Sequence, residues 1–182
     1  NRTGDMEGIL TNTEAIKILI DHHQQPDNYA KYIYSDVSLC STSQMIYHFI
    51  DMLGDIKAIN ANISTCLYTG IMTDTGSFRF RSTTSTTHRV IANLIDNGAN
   101  NAQIHNNVYD TNSYNKLQLL GCALNNLKLI SNLNTAHITL SKKELNTHDY
   151  KKGDTEGIVN YALSLKGVKF AVIFIENQSE GI

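Results

Sequence analysis

The chain has 182 residues, 41% of them hydrophobic, which is enough for one ordinary domain or for one domain and part of a second. Its formal net charge of −2 excludes a global basic field for long duplex nucleic acid. The three cysteines, Cys40, Cys66 and Cys122, contain no C-x-x-C pair, so we expect free thiols rather than a disulfide framework or a zinc knuckle. The sequence shows no apolar run of membrane-spanning length and no signal peptide, so we expect a cytoplasmic protein without membrane contact.

The first half of the chain predicts strands and then helices. Ile16 to Ile20 is apolar and β-branched, which is the profile of a buried parallel strand. It runs into Asp21-His22-His23, and a second short strand is predicted at Tyr32 to Val37. Helical spacing of apolar residues then predicts helices over Gln44 to Met52, Ala61 to Asp74, about Thr86 to Asn97 and roughly Asn101 to Tyr109.

The second half begins with a predicted helix at Asn115 to Leu127 and then changes character. The apolar stripe of this helix, which we interpret as packing, consists of Leu117, Leu120, Leu124 and Leu127. After it the pattern predicts a strand, a helix and a strand, at Thr135 to Leu140, Thr155 to Leu163 and Lys169 to Glu176.

The predicted fold class is α/β, with a doubly wound and mainly parallel sheet over residues 1–112. A connector helix follows at 113–128, and part of a smaller α/β domain at 129–182. The chain starts with Asn1 and stops soon after an apolar strand, so we expect a fragment or the ordered part of something longer.

Asp21, His22 and His23 follow a predicted strand end, which is where ligand sites of open α/β sheets lie. Imidazole and carboxylate groups together suit Mn²⁺, Fe²⁺ or Zn²⁺. The side chains of His22 and His23 are expected to leave a strand in opposite directions, so the simplest hypothesis makes one a metal ligand and turns the other to substrate. The alternative is a pair of strand-end histidines that are hydrogen-bonded to their neighbours.

A second candidate segment runs from Gly70 to Phe80. Asp74 lies there between two threonines and just before a glycine, which suits a carboxylate held at a helix end while it binds a metal. Arg79 is suited to pair with a phosphate oxygen. The alternative is an ordinary turn aspartate with an exposed arginine. Taken together, the two segments favour metal-assisted phosphoester hydrolysis, which needs several carboxylates and histidines around a two-metal centre.

The motifs in combination resemble the DHH/DHHA1 phosphoesterases, and most closely their bifunctional oligoribonuclease and 3'-phosphoadenosine-5'-phosphate phosphatase group. The likeness is carried by Ile18 to His23, Ser41 to Tyr47, Gly70 to Phe80, Lys116 to Gly121 and the strand near Thr135. It implies a partial DHH catalytic domain at 1–112 and a partial DHHA1 substrate-binding domain at 129–182. The family's first metal motif and its C-terminal glycine-rich motif are absent from the sequence, so catalysis is expected of the full-length protein and not of this stretch alone.

For the site, the resemblance implies two Mn²⁺ ions, with Mg²⁺ or Co²⁺ as alternatives. His22 and Asp74 would be metal ligands, Asp21 would support the site from its edge, and His23 would contact the scissile phosphate. Water activated by the two metals would hydrolyse a small nucleotide or a short single-stranded RNA, with Arg79 helping to stabilise the transition state. Whether the protein forms a homodimer is left open by the sequence.

Several alternatives remain at this point. Cyclic dinucleotide hydrolysis and exopolyphosphatase activity occur in the same family, and a non-catalytic nucleotide- or metal-binding sensor is an alternative of another class. The other histidines lack carboxylate or cysteine partners at ligand spacing, so we interpret them as surface or packing residues: His48, His88, His105, His137 and His148.

Overall fold

The computed structural model of the protein describes residues 4–176. The chain divides into two compact units, Asn1–Val108 and Tyr109–Ile182, which are described separately. Helices and strands occur in both units, so the predicted α/β class is confirmed. Within the described residues, no helix combines the length and the apolar character needed to cross a membrane.

The first unit contains a parallel pair of strands. β1 (Ile18–Asp21) pairs with β2 (Tyr32–Ser35), with Asp21 opposite Ser35 at the carboxyl end of the pair. Ligands of α/β proteins bind at this end of parallel strands. The prediction of a buried strand is wrong, because Ile18 is 62% exposed and the preceding Ile16 is 64% exposed. A β-branched composition favours the pleated backbone, but burial depends on which layers cover the strand.

Helices form most of the remaining first unit. They are α1 (Glu7–Asn12), α2 (Thr42–Met52), α3 (Ala61–Asp74), α4 (Ser85–Asp96) and α5 (Asn101–Tyr109). Ser41, Asn60 and Thr84 precede α2, α3 and α4, and each side chain accepts a backbone N–H of the first turn. The core of this unit includes the fully or almost fully buried side chains of Tyr68, Ile71, Met72 and Leu94. The helices α3 and α4 therefore supply the centre of the core.

The second unit packs helices against a mixed sheet. Its strand order is β3 (Lys128–Ile130), β4 (Thr135–Leu140), β5 (Phe170–Ile175), with β4 antiparallel to β3 and parallel to β5. The helices are α6 (Tyr114–Asn125), α7 (Lys142–Thr147) and α8 (Ile158–Leu163). Side chains of all three helices share one buried cluster with Ala136, Ile138 and Leu140 of β4.

The apolar stripe predicted on α6 is correct only in part, because Leu120 and Leu127 pack against the core of this unit but Leu117 and Leu124 do not. Leu117 is 50% exposed and Leu124 is 41% exposed, whereas Leu119 and Ala123 are fully buried. Leu119 and Ala123 are four residues apart and lie on one face of the helix, which is the face that meets the core. Apolar residues occur all round this helix, so the periodicity alone did not indicate which face is buried.

Glu144 joins the start of α7 to the end of α6. Its carboxylate accepts hydrogen bonds from the Asn126 side-chain amide at 2.8 Å and from the Ser141 hydroxyl and amide at 2.7 and 2.8 Å. These bonds, that from Asn126 first, lower the pKa of Glu144 from 4.5 to about 2 because they favour the ionised form. The Ser141 hydroxyl in turn accepts the Glu144 amide, which completes a capping box.

Replacing Glu144 by glutamine is expected to cost about 1 kcal/mol of unfolding free energy at neutral pH, since a neutral amide accepts these bonds more weakly. Because the pKa is depressed in the folded state, the parent's advantage is fully present above pH 4.5 and is lost as the pH falls toward about 2. Denaturant unfolding of both proteins at neutral pH and at about pH 3 measures the difference. A gap between parent and variant that stays constant in acid would contradict this account.

Candidate metal and phosphate site

His22 lies directly after β1 and is oriented by the segment that leads into α2. Its Nδ1 is 3.3 Å from the Leu39 carbonyl oxygen, and its Nε2 is 3.6 Å from Asp74 Oδ2. With Nδ1–H donating to the carbonyl, Nε2 keeps its lone pair on the side that faces the carboxylate. A backbone carbonyl that orients the far nitrogen of an imidazole is the usual support of a metal-ligating histidine.

Asp21 and His23 form a second pair beside His22. His23 Nδ1 is 2.5 Å from Asp21 Oδ1, and the same oxygen accepts the His23 backbone amide at 3.2 Å. The expectation that His22 and His23 point in opposite directions is wrong, because β1 ends at Asp21 and the alternation of a strand does not reach them. Their rings are 4.4 Å apart and tilted by 50°. The two histidines nevertheless have separate partners, Asp74 for His22 and Asp21 for His23.

Asp74 is the last residue of α3, and the turn after it closes the helix. The Gly76 amide donates to the Thr73 carbonyl at 3.2 Å, and the Ser77 amide donates to the Met72 carbonyl at 2.8 Å. These two bonds, with Gly76 at a left-handed φ of 55°, form a Schellman motif. The Asp74 carboxylate is thus anchored at a helix end while its side chain stays 46% exposed.

The turn continues in the left-handed region at two residues that are not glycine. Ser77 has a φ of 59° and Phe78 a φ of 66°, a backbone conformation that costs on the order of 1 kcal/mol or more per residue. Buried Thr75 offsets this strain: its hydroxyl donates to the Ile71 carbonyl at 2.6 Å and accepts the Phe78 amide at 3.1 Å. Strained backbone held in this way clusters at functional sites, which makes the turn after Asp74 a functional candidate.

Arg79 follows this turn and is exposed. Its Nε donates to the Gly76 carbonyl at 2.8 Å, which orients the plane of the guanidinium. The other guanidinium donors are on the two terminal nitrogens, a fork that matches phosphate oxygens. Arg79 therefore lies on the same short segment as Asp74, with a geometry that suits an anion.

The donor types at His22 and Asp74 suit Mn²⁺, because manganese accepts both imidazole nitrogen and carboxylate oxygen. Across residues 4–176, however, no group of three or more His, Cys, Asp or Glu side chains is arranged to hold a metal ion. Mn²⁺ favours octahedral coordination, which requires more donors than this pair supplies. The described residues thus fit one part of a metal site.

Three of the remaining histidines lie in ordinary structural surroundings. His48 Nε2 is 3.2 Å from the Gln44 side-chain amide on the same helix. His137 packs edge-on against Phe174 within the second unit's sheet, with ring centroids 6.4 Å apart. His148 is the C-cap residue of α7. These surroundings agree with packing and surface roles.

Two histidines contact the turn after Asp74. His105 Nε2 is 3.1 Å from Ser77 Oγ, and the His88 ring centroid is 6.0 Å from that of Phe78. The sequence interpretation missed the His105 contact because 28 residues separate it from Ser77 and no local motif joins them.

Comparison with known proteins shows which proteins the chain is similar to. No protein-family model matches the chain. The chain is 27% identical over 162 residues to the bifunctional oligoribonuclease and PAP phosphatase NrnA of Bacillus subtilis (strain 168), which covers 88% of this chain and 51% of that protein. It is 30% identical over 164 residues to the probable bifunctional oligoribonuclease and PAP phosphatase NrnA of Streptococcus mutans serotype c, over 90% of this chain and 51% of that protein. The crystal structure of an exopolyphosphatase-related protein from Bacteroides fragilis matches 92% of this chain and 49% of that chain, with a TM-score of 0.87 and 36% identity.

The matches define a class: the chain is related over nearly its whole length to the DHH/DHHA1 phosphoesterases, as its motifs predicted. Within that class, the predicted likeness to the bifunctional oligoribonuclease and PAP phosphatase group is confirmed. The chain spans about half the length of the curated relatives named above.

Proposed function

We propose that the chain is part of a metal-dependent phosphoesterase that cleaves short oligoribonucleotides, with His22 and Asp74 as ligands of a divalent cation. Mn²⁺ is the proposed cation, with Mg²⁺ and Co²⁺ as alternatives. 3'-Phosphoadenosine-5'-phosphate is the second proposed substrate, since the NrnA relatives are named for both activities. The proposal concerns the complete gene product, acting in the cytoplasm.

The geometry of His22 is the observation that supports the proposal most. The Leu39 carbonyl holds Nδ1 at 3.3 Å, so that Nε2 faces Asp74 Oδ2 at 3.6 Å. This separation is too long for a direct hydrogen bond. In the tautomer that donates through Nδ1, Nε2 and the carboxylate oxygen are both electron-pair donors, so the two atoms suit a shared cation.

The neighbouring side chains have distinct tasks in this proposal. Asp21 holds one nitrogen of His23, so that the ring is oriented to meet a phosphate oxygen through the other. Arg79 offers guanidinium N–H groups to the same anion. When bound, a divalent cation supplies charge neutralisation at the phosphoryl group and activates water.

Inorganic polyphosphate is the alternative to these nucleotide substrates, because the Bacteroides fragilis protein with the TM-score of 0.87 is described as exopolyphosphatase-related. Polyphosphate offers the same anionic oxygens as a nucleotide but no sugar and no base. Nucleotides and polyphosphate therefore differ in the contacts that they need beyond the metal and Arg79. Competition between the two substrates can distinguish them.

Hydrolysis by the complete gene product with added Mn²⁺ tests the proposal. We expect faster release of mononucleotides from a di- to pentaribonucleotide than of phosphate from polyphosphate, together with cleavage of 3'-phosphoadenosine-5'-phosphate. Chelation should stop turnover and added Mn²⁺ should restore it. Preference for polyphosphate or for cyclic di-adenosine monophosphate would replace the proposed substrate, and binding of Mn²⁺ and nucleotide without turnover would indicate a sensor.

A further inference from the structure

His105 on α5 bonds to the turn that follows Asp74. Its Nε2 lies 3.1 Å from Ser77 Oγ, and its Nδ1 lies 2.9 Å from the Asn101 carbonyl oxygen one helical turn earlier. Because a carbonyl only accepts, Nδ1 carries the proton, and in the neutral ring Nε2 then accepts the hydrogen of the Ser77 hydroxyl. The Ser77 hydroxyl therefore joins the turn to α5.

This hydrogen bond falls where the backbone needs support. Ser77 has a φ of 59°, in the left-handed region that a residue with a side chain adopts only when its surroundings hold it there. The Ser77 amide also closes α3 by donating to the Met72 carbonyl at 2.8 Å. A displacement of Ser77 would loosen the helix end that carries Asp74.

Ring packing around His105 supports the same turn. The His105 ring is 6.1 Å from that of buried Tyr68 on α3 and 6.4 Å from that of Phe78 in the turn. Tyr68 and Phe78 are 5.8 Å apart, so the three rings form one cluster. The hydrogen bond and the ring contacts are separable, because phenylalanine in place of His105 retains only the ring contacts.

We propose that His105 is a positioning residue: through Ser77 it holds the turn after α3 and so fixes the Asp74 carboxylate opposite His22. Its effect on catalysis rests on the proposed function, whereas its effect on the turn does not depend on turnover. His105 acts through Ser77 and Asp74 and needs no contact with substrate.

Three substitutions at this position in the complete gene product separate the contributions. His105→Ala removes the acceptor and the ring, His105→Phe keeps the ring, and His105→Gln keeps an acceptor in its side-chain carbonyl. We expect kcat in the alanine and phenylalanine variants to fall about tenfold with KM little changed, and Mn²⁺ binding to weaken by a similar factor. The glutamine variant should stay within about threefold of the parent. Gln103→Ala, at an exposed position of the same helix, is the matched control and should behave like the parent.

Hydrogen–deuterium exchange of the amides from Met72 to Phe80 provides a readout that needs no turnover. Exchange should accelerate in His105→Ala, His105→Phe and Ser77→Ala, and should stay near the parental rate in His105→Gln. Because His105→Phe and Ser77→Ala remove the same hydrogen bond, the double variant should be no worse than the more impaired single variant.

The outcomes distinguish this inference from the proposed function. Parental exchange and parental kcat in His105→Phe would overturn the inference, and equal losses in the alanine, phenylalanine and glutamine variants would also overturn it. A parent protein that neither binds Mn²⁺ nor hydrolyses any substrate would refute the proposed function and the catalytic part of the inference with it. Exchange alone then decides whether His105 holds the turn.

Discussion

Replacing His22 or Asp74 by alanine is expected to lower the hydrolysis of a short ribonucleotide by about a thousandfold, because losing a ligand of the proposed cation removes several kcal/mol of transition-state stabilisation. The two substitutions remove opposite sides of the same 3.6 Å pair. Since both residues serve one cation, the double variant should be no slower than the slower single variant. Steady-state assays at saturating Mn²⁺ measure turnover, and thermal unfolding in parallel shows whether each variant keeps its fold.

The chain offers a matched control for each substitution. Asp96→Ala corresponds to Asp74→Ala, because each aspartate is the exposed last residue of its helix, α4 or α3. His148→Ala corresponds to His22→Ala, because both imidazoles are partly buried and only His22 faces a carboxylate of the candidate site. Both controls should retain parental turnover. Parental turnover in His22→Ala and Asp74→Ala would remove the site and the function proposed for it.

The long elements were predictable from sequence because their signals are local. Helical spacing of apolar residues placed α3 at Ala61–Asp74, and alternation placed β4 at Thr135–Leu140. The helix predicted at roughly Asn101 to Tyr109 is α5, and all three have these bounds in the structure. The elements α1, β3 and α7 were not predicted, since a helix of six residues has fewer than two turns and a strand of three residues shows almost no alternation. The exposure of Ile18 and the buried face of α6 were not predictable either, because both depend on which other elements pack there.

The residues of the candidate site could be proposed from the sequence, but their contacts could not. Asp21, His22, His23 and Asp74 belong to short local motifs, and the structure brings the two proposed metal ligands, His22 and Asp74, together. The partner of His22 Nδ1 is the backbone carbonyl of Leu39. Every residue has a backbone carbonyl, so the sequence could not identify this partner. The prediction that His22 and His23 point in opposite directions needed the strand to include both residues. The strand β1 ends at Asp21, so the alternation of side chains does not apply to them.

Gly70→Ala is expected to destabilise the first unit by a net amount of about 1–2 kcal/mol, because overpacking outweighs the roughly 1 kcal/mol that alanine gains over glycine within a helix. Gly70 lies on α3 where it meets α2, and a Cβ there would lie 2.0 Å from Ser43 Oγ and 2.9 Å from Ser43 Cβ. Denaturant unfolding at constant m-value measures the loss. Turnover should also fall, since α2 begins shortly after Leu39, whose carbonyl contacts His22, and α3 ends at Asp74.

Ser43→Gly provides the compensating change, because it removes both atoms that the new methyl group would meet. Alone it should destabilise the protein slightly, since glycine loses more backbone entropy in a helix. Combined with Gly70→Ala it should give a loss smaller than the sum of the two single losses, because the clash disappears and the methyl group fills the vacated space. Strictly additive losses would show that α2 and α3 adjust freely at this crossing. In that case, the position of His22 opposite Asp74 would not depend on the close approach of the two helices.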